Sequence, residues 1–270
     1  MYKLSKKYEA LAPIRERAVI ALATFSMIFM FACSDPEPEN ADNADSADSA
    51  DNTEQIDQGQ GDNNTSNLGG LPQVEIPENY DLLSEAVGDL DGDGINEKAI
   101  AFNTGREGEM GFERELRIYS EHQGLWSLWH TAVGPILSSE SGGVMGDPFE
   151  KLEIRKGQLE IFHFGGSADK WSYSHTFEHS EGNWELAAAT LSFFRNCVYS
   201  ETYTYDLNNG TGYHSKHSES CNENGEKIES ALELEEVLNL DNDLPAPLLE
   251  EFIPGGTKVV LLNSDEPYFY

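Results

Sequence analysis

The stretch Val87–Asn103, VGDLDGDGINEKAIAFN, sets Asp89, Asp91 and Asp93 two residues apart, with Gly92 and Gly94 among them and Glu97 following. Closely spaced carboxylates on a glycine-bent loop are the oxygen donors a hard divalent cation requires, and calcium takes roughly six to eight of them. The chemistry indicated is calcium binding. The competing reading is an acidic, Asx-rich turn that holds nothing.

Other residues invite chemistry less strongly. Ser167 in HFGGSADKW has His163 nearby, but no Gly-x-Ser-x-Gly elbow surrounds it. Gly165 and Gly166 read instead as a turn or bulge between strands. His175 and His179 would share one face of a strand about 13 Å apart, too far for one metal. His214 and His217 would lie on opposite faces. Trp126, Trp129, Trp171 and Trp184, with many tyrosines, could form a platform for sugars, although most are expected in the core.

The acidic loop starts as an EF-hand loop does. With Asp89 as position one, Asp91 is three, Asp93 five, Gly94 six, Ile95 seven and Glu97 nine. Position twelve is Ile100, where an EF-hand needs a bidentate Glu, and KAIAFN is patterned as a strand and not a helix. The residues resemble more closely the Asp-x-Asp-Gly-Asp-Gly-x-x-Asp loop of FG-GAP, integrin-like β-propeller repeats, which enters an apolar strand as DLDGDGINEKAIAF does. That resemblance implies Asp89, Asp91, Asp93 and Glu97 as side-chain ligands and Ile95 as a carbonyl ligand of a structural Ca2+. Only one copy is present, so a full propeller is not expected.

Compartment bears on this reading. Lys3, Lys6, Lys7, Arg15 and Arg17 precede the uncharged run Ala18–Ala32, which is short for a membrane span and suited to a signal-peptide core. The run ends MFAC, which resembles the lipobox of bacterial lipoproteins and implies cleavage before Cys33 and lipidation of its thiol. An ordinary signal peptide or an uncleaved anchor is the alternative. Ser34 after the cysteine favours, by the same resemblance, the outer membrane; the periplasmic or surface face is left open. Residues 34–70 hold ten acids and no base, a composition that cannot bury enough apolar surface to fold and reads as an acidic tether. With Cys33 lipidated, Cys197 and Cys221 remain as an even pair in an oxidising compartment, and a disulfide is expected. Two free buried thiols are the alternative.

The organisation expected is a signal peptide at 1–32, a lipidated Cys33 with its tether at 33–70, and a single mainly β domain at 71–270. The strands read as KAIAFN, RELRIYSE and LWSLWHTAV. Two hairpins follow, turning at Lys156-Gly157 and Glu181-Gly182-Asn183, and a last pair is CVYSETYTYDL with GTGYHSKHSESC. ESALELEEVLNL (229–240) has apolar residues near helical spacing, and PAPLLEEFI (245–253) reads as a second short helix, before a final strand TKVVLLN. The fold class expected is meandering antiparallel sheets, sandwich or partial-propeller-like, with a small C-terminal helical appendage. The segment from GGVMGDPF to AAAT resembles uncharacterised exported bacterial domains of no assigned activity, over roughly 85–212.

A formal charge of −32 argues against nucleic acid as a partner. The membrane, through the lipid anchor, and a protein or glycan ligand are the partners expected. The function expected is a calcium-stabilised binding or assembly domain on a membrane anchor, with no catalytic residue assigned. The alternative is a periplasmic or cell-surface hydrolase using some of its many carboxylates.

Overall fold

Three Xaa-Gly pairs set the meander. Gln123-Gly124, Lys156-Gly157 and Glu181-Gly182 have φ values of 54° and 82°, 52° and 78°, and 50° and 90°. Two successive left-handed residues make the turn whose twist matches right-twisted strands. The computed structural model describes residues 73–241, 243–262 and 268–270. The expected signal peptide, Cys33 and the tether lie outside the described residues.

The strands run β1 (Asp81–Gly88), β2 (Glu97–Gly108), β3 (Gly111–His122), β4 (Leu125–Ala132), β5 (Phe149–Arg155), β6 (Gln158–Gly166), β7 (Lys170–Ser180), β8 (Asn183–Arg195), β9 (Tyr199–Asp206), β10 (Thr211–Cys221) and β11 (Lys227–Asn239). Two short strands, β12 (Lys258–Val259) and β13 (Tyr268–Phe269), follow. The sheets are β1-β2-β3-β4, then β11-β10-β9-β8-β7-β6-β5, then β12-β13. Every strand pair within them is antiparallel. The chain is therefore mainly β and built from open meandering sheets.

The two larger sheets share one core. Ala99, Ala101, Leu116 and Ile118 from the first meet Leu159, Ile161, Phe177 and Trp184 from the second, and Leu249, Phe252, Val259 and Tyr270 of the C-terminal segment complete it. The sheets approach each other where β1 passes β5. A Cβ on Gly88 would lie 2.6 Å from Ile154 Cγ2, so only glycine lets the strands come so close. The acidic loop begins one residue later.

The C-terminal helical appendage is not found. Residues 227–239 form β11, paired with β10 from Thr211↔Asn239 to Cys221↔Lys227. The leucine spacing fits a helix, but β10 offers a full row of backbone donors and acceptors, and tertiary pairing overrides a weak propensity. The second expected helix is a single 3-10 turn, Leu249–Glu251, and the final strand shortens to Lys258–Val259. Among the described residues, no helix is long and apolar enough to cross a membrane.

Candidate metal centre

The acidic loop joins β1 to β2, and its aspartates fold it. Asp89 Oδ1 accepts the Gly92 N–H at 2.7 Å and its Oδ2 accepts the Gly94 N–H at 3.1 Å. Asp91 Oδ1 accepts the Asp93 N–H at 3.1 Å, and Asp93 Oδ1 accepts the Ile95 N–H at 2.7 Å. Short polar side chains that bond backbone a few residues on make such turns. Gly92 and Gly94 take φ of 80° and 87°, the left-handed region in which a side chain is strained.

Two residues tie the loop to the core. Leu90 is 2% exposed and packs among the core residues, and Glu97 is also 2% exposed. Glu97 Oε2 accepts the Leu90 N–H at 2.7 Å, which closes the loop across its base. One carboxylate oxygen each from Asp89, Asp91 and Glu97 lie within 4.8 Å of one another. This is a group that could hold a metal ion. Asp93, also expected as a ligand, stands outside that trio, and Ile95, expected through its backbone carbonyl, is an exposed residue of the loop.

Electrostatics single out Glu97. Burial pushes its carboxyl above the ordinary value, the Leu90 N–H opposes this, and the charges of Asp91, Asp93 and Asp89 push it further up. Among the described residues no basic side chain pairs with it; its neighbour Lys98 turns to Glu85 at 2.9 Å. A buried carboxylate among like charges is costly unless it is protonated or meets a cation.

The other candidates are dispersed. Ser167 is exposed in the β6–β7 turn, its N–H bonded to the Asp169 carbonyl. His163 points into the core, where its Nε2 accepts the Leu137 N–H at 3.2 Å, so the two form no catalytic pair. His175 is buried edge-on to Phe252, with ring centroids 4.7 Å apart. Burial drives His163 to about 4 and His175 to about 3, helped in His175 by the nearby His163. The tryptophans form no open platform. Trp184 is buried and meets Trp129, Lys98 lies over Trp126, and Trp171 stacks on Tyr173.

The expected disulfide is present: Cys197 joins Cys221 with Cα atoms 5.1 Å apart. Tyr199↔Ser218 is the last pair of β9 and β10 on that side, so the bond staples the open end of their hairpin.

One constellation escaped the sequence reading. His214 Nε2 lies 2.7 Å from Glu201 Oε1, and its Nδ1 lies 2.8 Å from Glu236 Oε1. Tyr203 stacks on the imidazole at 4.0 Å and donates its hydroxyl to Glu201 Oε1 at 2.9 Å. Burial alone would raise the Glu201 carboxyl, but bonds from His214 and Tyr203 override it and hold the group below its ordinary value. The signal was the register of three strands, Tyr203↔His214↔Glu236, and it was hidden because 229–240 read as a helix.

Two recesses stand out. One, of about 420 Å³, lies under the C-terminal segment and gathers Glu178, Glu185, Asn208, Asp241 and Lys258. The other, of about 390 Å³, is lined by Tyr173, Phe193, Tyr203, Tyr205, Tyr268 and Phe269. Comparison with family models, with curated proteins and with solved structures found no match to this chain.

Proposed function

We propose that the chain is an exported, lipid-anchored protein whose β domain is a binding or assembly module clipped by calcium. The observation that carries the calcium reading is the convergence of Asp89, Asp91 and Glu97 oxygens around a buried Glu97 that has no basic partner among the described residues. A divalent cation would offset that charge, and carboxylate oxygens are the donors calcium prefers. Backbone carbonyls, Asp93 and water would fill the remaining positions. The loop bridges two strands beside the seam of the sheets, so the ion would stabilise the fold and take no part in chemistry. Export supports the reading, because weak affinity suffices where calcium is plentiful. The MFAC motif supports anchoring, and labelled palmitate should enter the wild-type chain and not Cys33→Ala.

Thermal unfolding of the full-length protein tests the calcium claim. At calcium well above its dissociation constant, linkage stabilises by about 3 kcal/mol, a rise of roughly 5 °C or more over chelator for a domain of this size. Coincident curves would end the claim.

A hydrolase is the second reading. It is favoured by the larger recess, where Glu178 and Glu185 face each other across β7 and β8 with Asp241 beside them. Paired carboxylates in a cleft are what glycoside hydrolysis uses. Turnover of glycosides abolished by Glu185→Gln would establish it, and absence of turnover would leave the binding module.

A further inference from the structure

We propose that the aromatic recess between β7–β9 and β13 binds a small organic cation of the quaternary ammonium class. This rests on the binding-module reading and names its ligand.

Tyr173 meets Phe193 at 6.0 Å and 69°, Phe193 meets Tyr203 at 6.3 Å and 79°, and Tyr203 meets Tyr268 at 5.9 Å and 67°. Successive rings stand nearly perpendicular, as walls around a space. A sugar wants a broad, flat face. The coplanar pairs at the recess are Trp171–Tyr173, at 4.6 Å and 25°, and Tyr203–His214, at 4.0 Å and 12°, and in each the two faces cover each other. Perpendicular aromatic walls offer their negative faces to a compact cation from several directions.

The strand register builds the walls. Tyr173, Leu191 and Tyr203 are direct cross-strand neighbours on β7, β8 and β9. Phe193 lies two residues along on the same face, and Tyr268 closes the recess from β13. Trp171 backs Tyr173 and His214 backs Tyr203, which fixes both rings.

Charge points the same way. Among the described residues, no basic side chain lines the recess. Behind Tyr203 stand Glu201 and Glu236 with His214 between them. Lys216, paired across the strands with Glu201, offsets one of the two carboxylates, and with the imidazole neutral the group keeps a net negative charge. The chain as a whole carries −32. Burial holds the Tyr203 and Tyr205 hydroxyls above their ordinary value, so the rings remain neutral phenols.

The test is ligand-observed NMR on the full-length protein in non-ionic detergent, with choline against its uncharged isostere 3,3-dimethylbutan-1-ol. Choline should bind about tenfold more tightly. Tyr268→Ala should weaken choline binding about fivefold while leaving the melting temperature near wild type. Phe193→Leu should act similarly, and if it fails to fold, Tyr268→Ala still decides. Phosphocholine should bind more weakly than choline, because its phosphate meets acidic surroundings; tighter phosphocholine binding would overturn a free cation as the ligand. Equal binding of the isostere, or a preference for methyl glucoside, would overturn the cation while leaving a binding module. Failure of every probe to bind would overturn the cation and remove the recess as support for the module.

Discussion

Glu97 and the two buried histidines hold the clearest consequences at the scale of single residues. Glu97 is a buried acid that only a cation or a proton would neutralise. Replacing it by Gln removes the charge and keeps the shape. In chelator, Glu97→Gln should therefore melt at or above wild type; in calcium it should melt below, because the ion loses a ligand. A variant that keeps the full calcium shift would contradict the assignment. His163 and His175 have folded values of about 4 and about 3, against an ordinary value of 6.5. The folded state thus binds their protons less readily than the unfolded state does. Their contribution is complete above pH 6.5, falls as pH drops below it, and stops falling near pH 3. The loss by pH 4 is on the order of 3 kcal/mol for each ring. Neither His175 nitrogen has a hydrogen-bond partner among the described residues. His175→Leu should accordingly be nearly neutral at pH 7 and should flatten the acid arm of a stability-versus-pH curve. An unchanged arm would show that the ring is not buried neutral.

At the scale of elements, hairpins with Xaa-Gly turns were legible, because turn chemistry and alternation are local. Leu152 and Ile154 return as Leu159 and Ile161 across Lys156-Gly157 just as the pattern reads. The disulfide was legible by parity. The stretch 227–239 was not, because a mixed leucine and glutamate pattern serves helix or strand and the choice lies with β10, a partner distant in structural logic although close in sequence. β11 leaves Glu229, Glu233 and Glu235 exposed at the rim of the sheet, charges that discourage pairing with another chain. The Cys197–Cys221 bond closes a loop of 24 residues. Its removal in the double Cys→Ser variant should cost about 3 kcal/mol, measured by denaturant unfolding. A loss near zero would mean that the β9–β10 ladder holds that end without it.

At the scale of the whole molecule, the acidic loop matters for its position. It leaves β1 directly after Gly88, where β5 of the other sheet presses closest, and it enters β2, whose Ala99 and Ala101 lie in the shared core. The sequence showed the oxygens but not this seam, since which sheets meet is decided by contacts between distant strands. The carboxylate spacing was readable, yet three of the four expected carboxylate ligands fall in the converging group; which oxygens turn inward depends on the Asx turns. The measurement that addresses the central claim most directly is hydrogen exchange of the full-length protein in calcium and in chelator. Calcium should slow exchange in peptides spanning Val87–Asn103 and in β5 across the seam, with little change in β9–β11. Uniform exchange in the two conditions, or protection spread over the acidic surface without a maximum at the loop, would contradict a calcium clip.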